Sequence, residues 1–255
     1  MLATVRRVLL PLLGVALFLG VWWLAAVLDP DPRRTPTPGA VIGRIVEGLG
    51  TPDGLLLDVR LSVLRVLIGV AIGATAAVPV GFALAWFRPV REMFNPLVSF
   101  FRALPPLALI PLVITYLGID ETARISVLTY AAFFSAVIVI YESVAAVDDV
   151  YVRAGRALGA TELELFRRVV VPLTVPQIFV GIRVALGVCW ATVVAAELVA
   201  AQRGLGAMMA KANAFFRTED VFAGIILIGL SALVMDRLVQ LVMARLVRWQ
   251  ERVAR

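Results

Sequence analysis

Six stretches of this chain are apolar enough, and at about 20 residues long enough, to cross a lipid bilayer. They run approximately Val8–Leu28, Leu64–Phe87, Leu97–Leu117, Ile125–Val147, Gln177–Ala200 and Val221–Val247. The expectation is an all-α membrane protein of about six transmembrane helices. The composition agrees: 61% of the 255 residues are hydrophobic, above the roughly one half found in soluble globules.

The first run follows Arg6 and Arg7, as a signal peptide would, but it is long and carries Trp22 and Trp23 near its far end. It also lacks a small-x-small cleavage site, so residues 1–28 read as a retained anchor. Arginine placement gives the orientation. A cytoplasmic N-terminus puts Arg6, Arg7, Arg88, Arg91, Arg153, Arg156, Arg167, Arg168, Arg245, Arg248, Arg252 and Arg255 inside. Across the membrane lie Arg33, Arg34, Arg44, Arg124, Arg203, Lys211 and Arg217, diluted by carboxylates. Both termini, including the tail 250–255, are therefore expected in the cytoplasm. Residues 29–60 read as an extracytoplasmic linker, rich in Pro and charge over Asp29–Pro38, with a short interfacial helix over Ala40–Leu49. Residues 61–249 are then the transmembrane domain.

Much chemistry is missing. The chain has no His, one cysteine (Cys189) and one lysine (Lys211), which is followed by Ala212 rather than the Ser or Thr of a phosphate loop. No G-x-S-x-G elbow occurs. The chain is expected to be no enzyme and to bind no metal or cofactor, and its net charge of +6 reflects membrane orientation rather than nucleic acid.

Ionisable residues in or near the spans are costly, and they mark candidate functional positions. They are Arg65, Arg102, Glu142, Arg183, Glu197 and Asp236. Arg65 and Glu197 both fall at outer span ends and suit an ion pair, either one that holds helices together or one that borders an outer gate. Asp236 and Arg237 read as interfacial anchors at the inner end of the last span. Pro105, Pro106 and Pro111 kink or break the third span, and the freed carbonyls must face protein or a wet cavity. Both a place beside a pathway and a purely structural kink fit. Gly69-x-x-x-Gly73 permits close approach of another helix.

Between the fourth and fifth spans lies a polar, Arg-rich segment, 153–172. Gly159 hinges two short helical stretches, and Thr161-x-x-Glu164 is a capping box that starts the second. Leu163, Phe166 and Val170 recur at helical spacing, which makes one apolar face among Glu162, Arg167 and Arg168. The segment reads as a docking element or as a solvated loop on the membrane surface.

It resembles the signature loop of binding-protein-dependent ABC importer permeases: E-A-A, three residues, Gly, nine residues, then I-x-L-P. Gly159 takes the glycine, 160–168 are the nine residues, and Val169-x-Val171-Pro172 is the end. Arg153-Ala154-Gly155 stands at the E-A-A position, so Arg replaces the first Glu and Gly the second Ala. Arg102 to Leu112, Leu117 to Arg124 and Val194 to Gly206 are similar to the taurine, alkanesulfonate, nitrate and bicarbonate permease group, most of all to its taurine-type members.

The resemblance implies a type I ABC importer transmembrane domain that works as a homodimer in the inner membrane. Its partners would be two ATPase subunits, which use ATP and Mg, and an extracytoplasmic solute-binding protein. It further implies that Arg153, Ala154, Gly155, Gly159, Ala160, Thr161, Glu164, Phe166 and Pro172 belong to the coupling helix that seats on the ATPase. Transport would be by alternating access. A small sulfonate-type anion or zwitterion is the expected solute, with Arg65, Arg102, Pro105, Pro106 and Glu197 along the pathway or its gate. Nitrate, bicarbonate or another small organic solute within the same class is the alternative. A secondary transporter or channel would show inverted repeats and a proton-relay chain, and neither is evident.

Overall fold

The computed structural model describes residues 2–29, 31, 34–51 and 54–247. Arg33, Arg248, Arg252, Arg255 and the tail 250–255 lie outside the described residues. All regular structure among those described is helical.

Helix α1 (Leu2–Leu28) leans on the rest mainly through Trp22, which stacks on Phe222 at 5.6 Å and donates from Nε1 to the Pro36 carbonyl at 3.1 Å. Its leucines from Leu9 to Leu28 are exposed, as a lipid-facing helix requires. Helix α2 (Pro38–Leu49) starts at an N-cap, Thr37, whose hydroxyl accepts from the Ala40 amide.

The core is built on α3 (Leu55–Trp86) and α6 (Glu121–Ala145). Glycines on α3 let the two backbones approach. A Cβ on Gly69 would sit 2.5 Å from Leu128 Cβ, one on Gly73 2.6 Å from Ala132 Cβ, and one on Gly81 2.7 Å from Ile140 Cγ2. Residue numbers rise together on both helices, so α3 and α6 run parallel. The chain between them must therefore return across the same thickness. Helix α9 (Val171–Ala200) runs antiparallel to α6, with Gly181 beside Val139 and the Cys189 thiol donating to the Leu128 carbonyl. Helix α11 (Thr218–Leu246) packs on α9, and the short α10 (Leu205–Ala214) bridges them at the end that holds Arg65.

The return between α3 and α6 is not one helix over Leu97–Leu117. It is α4 (Arg88–Ala103) and α5 (Pro106–Leu117), bent by 94° at a short break. Pro105 and Pro106 lack the N–H groups that would continue α4, and Leu104 is extended (ψ 122°), as a residue before proline prefers. Alone, α5 is about 18 Å long, short of the roughly 30 Å hydrocarbon core. Among the described residues there are thus five unbroken apolar helices of spanning length, and a sixth span where the bent pair α4–α5 is taken as one. On α4, Arg88, Arg91, Asn95 and Arg102 share one face and Met93, Phe94, Leu97 and Phe101 the other, the pattern of an interfacial helix.

Candidate functional site

The 149–172 hairpin stands at the end of the core opposite Arg65. Helix α7 (Asp149–Ala157) is N-capped by the Asp148 carboxylate, which accepts from the Val150 amide at 2.8 Å. Gly159 turns the chain at φ +81°, a left-handed conformation costly for L side chains, although a Cβ there would meet nothing within 4 Å. The turn brings the Ala160 amide to the Gly155 carbonyl at 3.0 Å. Thr161 then starts α8 (Glu162–Leu165) with the full capping box: its Oγ1 accepts from the Glu164 amide at 3.3 Å, and Glu164 Oε2 accepts from the Thr161 amide at 3.1 Å.

Gly155 is the pivot of the hairpin's packing. A Cβ there would lie 2.3 Å from Cδ2 of Leu165, which is fully buried. A π-helical turn, Phe166–Val170, joins α8 to α9. It directs Phe166 inward, edge-on against Phe82 (5.3 Å) and Trp86 (5.4 Å) of α3, and it buries Val170. Leu163, Phe166 and Val170 are therefore not one outward face. Leu163 stays 63% exposed and Leu158, in the turn, is 89% exposed, so these two make the outward apolar tip. Arg153, Arg156, Arg167 and Arg168 are exposed around it, with Arg156 Nε donating to Glu162 Oε1 at 3.0 Å. Ala154 is exposed, Ala160 is half-buried, and Pro172 follows the π turn directly, inside the continuous helical run from α8 into α9, where its missing N–H interrupts the ladder.

At the other end, Arg65 and Glu197 meet. Arg65 Nη1 donates to Glu197 Oε1 at 2.6 Å, and both residues are buried. Arg65 also donates from Nε and Nη2 to the two oxygens of Glu121, at 2.7 and 2.6 Å, and from Nη1 to the Arg203 carbonyl at 2.8 Å. Glu197 accepts further from Ser62 Oγ (2.7 Å) and the Gly206 amide (2.8 Å), while the Asp58 carboxylate accepts from the Gly204 amide (2.8 Å). One polar network thus ties α3, α6, α9 and α10 together. Gly204 fits only as glycine, since its φ is +126° and a Cβ would come 2.6 Å from Arg65 Nη1.

A third feature is a cavity of about 420 Å³ at the helix break, between α4, α5, α6 and α9. Arg102 and Pro106 line it, together with Tyr130, Ser135, Glu142 and Val188. The Tyr130 hydroxyl donates to the Phe101 carbonyl, which also accepts from the Leu104 amide where α4 stops. Tyr130 lies roughly 14 Å along α6 from Glu121 and roughly 22 Å from Ala145. Arg102, in the last turn of α4, is exposed at the edge of this cavity.

Residues 69–248 match the family described as binding-protein-dependent transport system inner membrane component. The chain belongs to that family. It is 44% identical over 243 residues to a probable ABC transporter permease protein of Brucella abortus, covering 95% of this chain and 96% of that one. To the taurine transport system permease protein TauC of Escherichia coli it is 34% identical over 251 residues, covering 96% and 90%. Among solved structures it shares its fold with the inward-facing MetNI methionine ABC transporter, at a TM-score of 0.61 and 22% identity, covering 76% of this chain and 94% of that one.

This permease for small solutes thus has three separated features. The structure joins Arg65 to Glu197 and places Arg102 and Pro106 on one cavity, away from that pair; Pro105 is exposed at the break. Glu121, Ser62 and Gly206 complete the outer network, and only Glu121 carried a charge that could have drawn attention to it. Tyr130, Phe134, Ile138 and Glu142 recur every four residues on one face of α6, a stripe readable only once a cavity faces it. Asp236 is not a free interfacial anchor. It accepts from Arg183 Nε at 2.5 Å and from Gln240 Nε2 at 2.6 Å, which ties α11 to α9.

Proposed function

We propose that this chain is the pathway-forming subunit of an ATP-driven importer for a small sulfonate-type solute, taurine-like in size and charge. The observation that carries the reading is the 149–172 hairpin. Its outward tip is apolar and exposed at Leu158 and Leu163 and rimmed by arginines, while Leu165 packs on Gly155 and Phe166 and Val170 lock its base to the core built on α3. An exposed apolar anchor on a rigid base is what a helix needs to seat in a partner's groove.

On this reading two ATPase subunits hold the hairpins of two copies of the chain, and ATP and Mg stay on those subunits. ATP binding draws the hairpins together and opens the permease toward an extracytoplasmic binding protein; hydrolysis resets it. The chain sits in the inner membrane with both termini and the hairpin in the cytoplasm, as the arginine distribution favours. Two features support a sulfonate: Arg102 offers a cation to the cavity at the break, and a 34%-identical relative is named a taurine permease.

The test is uptake of labelled taurine into proteoliposomes that hold the copurified complex, with and without ATP inside. Accumulation that depends on ATP and is lost with Leu158→Asp is the expected result. Accumulation by this subunit alone, without nucleotide, refutes the proposal and favours a secondary transporter.

A further inference from the structure

Another cavity, of about 430 Å³, opens at the outer end between α2, the start of α3, α10 and the start of α11. Its lining is charged, which places it outside the hydrocarbon core. Asp58 lies six residues, about 9 Å, outward of Leu64, where the apolar run of α3 begins. Most of the lining charges are matched. Arg44 donates to Asp220 and Glu47, Arg217 pairs with Asp220, and the Lys211 ammonium donates to the Gln202 carbonyl. Asp58 is different. It is only 8% exposed, and one of its oxygens accepts from the Gly204 amide at 2.8 Å. The other accepts no hydrogen bond, and neither meets a cation among the described residues. A buried carboxylate that faces a cavity without a counter-charge calls for a cation from outside the chain.

Phe215 lines the same cavity, and with Phe216 it forms an apolar brim. The two are 74% and 86% exposed. Their turn closes α10: the Phe216 amide donates to the Asn213 carbonyl at 3.1 Å and the Arg217 amide to the Ala212 carbonyl at 2.8 Å, the paired bonds of a Schellman motif. Glycine is the usual residue where Phe216 stands, because φ there is +54°, in the left-handed region that disfavours a side chain. Lipid does not account for the aromatic. Trp22, near the outer end of α1, stacks on Phe222 and marks the membrane interface. Phe216 precedes Phe222 by six residues, and the helical part from Thr218 alone carries it about 6 Å further out. An exposed aromatic pair on strained backbone beyond the interface is a surface for a protein partner.

We infer that the Asp58 cavity and its Phe215–Phe216 brim are where the importer's extracytoplasmic solute-binding protein docks. A lysine or arginine of that protein reaches Asp58, and an apolar patch of it covers the two phenylalanines. The inference rests on the importer reading above and assigns the partner's footing on this chain. The footing adjoins the outer network. Asp58 holds the Gly204 amide, and the flanking Arg203 carbonyl and Gly206 amide hold Arg65 and Glu197. A partner that draws on Asp58 therefore acts on the loop that closes over that network.

The test titrates the complete transporter in nanodiscs, nucleotide-free and ATP-bound, with its labelled solute-binding protein. Phe216→Gly should weaken binding about tenfold or more, as loss of an interface anchor does. Its unfolding midpoint should stay at or above wild type, because glycine suits the left-handed turn. Weaker docking without lost stability is a result that a structural role of Phe216 does not give. Asp58→Asn keeps an acceptor for the Gly204 amide and removes the charge, and it should also weaken binding about tenfold. Either variant binding within about twofold of wild type overturns the inference and leaves the importer standing. That is also the result if Phe216 is buried in lipid. A wild type that binds no solute-binding protein in either nucleotide state overturns the importer reading and this inference with it.

Discussion

Replacing Glu197 with alanine should destabilise the permease by about 4 kcal/mol, near the middle of what removing one partner of a buried ion pair costs. The figure can be built from what is left behind. The Gly206 amide donates to Glu197 Oε2, and without that acceptor it costs roughly 1–3 kcal/mol as an unsatisfied buried donor. The Ser62 hydroxyl loses both carboxylate oxygens but still accepts from the Leu205 amide, which adds about 1 kcal/mol. Arg65 stays buried but not bare, because Glu121 and the Arg203 carbonyl remain, so its uncompensated charge adds only about 1 kcal/mol more. Glu197→Gln keeps the volume and one acceptor, and it should cost about half as much. The assay is unfolding free energy from denaturant titration in mixed micelles, where about 4 kcal/mol is close to a thousandfold in the folded-to-unfolded ratio. The double variant Arg65→Met with Glu197→Leu should recover only about 1 kcal/mol of the loss, the share of the stranded Arg65, because the Gly206 amide and the Ser62 hydroxyl still lack their acceptor. Glu197→Ala within about 1 kcal/mol of wild type, or a double variant worse than the sum of the singles, would refute the argument.

Three further outcomes follow from the same geometry. Leu158→Asp alters a side chain that is 89% exposed, so unfolding free energy should stay within about 0.5 kcal/mol while copurification with the ATPase falls at least tenfold, as for a lost interface anchor. Gly155→Leu forces a Cβ toward Leu165 Cδ2, 2.3 Å away, so α7 must lift; a loss of about 1–3 kcal/mol and faster proteolysis within 149–160 are expected. Breaking the Arg183–Asp236 pair with Asp236→Asn should lower stability, because the pair ties α11 to α9; the same titration checks it.

Hydropathy finds a helix only where both its faces are apolar, and this decides what could be read in advance. Helix α3 begins at Leu55, nine residues before the apolar run, because Asp58, Ser62 and Arg65 lie on one face turned to the α9–α10 segment rather than to lipid. A buried polar stripe reads in sequence as the end of a span. The broken third span was legible as three prolines but not as a 94° bend, since the bend depends on α5 finding Val127 and Ala196 to pack against Ile110. The capping box was legible in full, because it involves four consecutive residues and local bonds. Phe166 was misread for the opposite reason. Its direction is set by a π turn, and the extra residue in that turn shifts the helical face by about 100° relative to a plain α-helical count. Arg65 with Glu197 was legible as two opposite charges at one depth, whereas Glu121 and the Gly204–Gly206 amides needed the fold to bring them there.

The hairpin and the outer network are joined by a single element. From Glu162 through the π turn the chain stays helical to Glu197, roughly 50 Å of rod at 1.5 Å per residue. Phe166 is fixed to α3 at one end of this rod and Glu197 to Arg65 of the same α3 at the other. A sideways load on Leu158 and Leu163 therefore has two places to go. Either α3 and α9 move together as one body, or the rod yields where its ladder is weakest, at the π turn and at Pro172 and Pro176. The six-residue stretch from Phe166 to Val171 has no side chain exchanging a salt bridge with α3, only aromatic and aliphatic contacts, which slide at lower cost than charge pairs break. The outer network, with its four elements held by charge-assisted bonds, is the stiff end. A force applied at the hairpin should thus reorganise the base of α9 before it disturbs the network around Arg65.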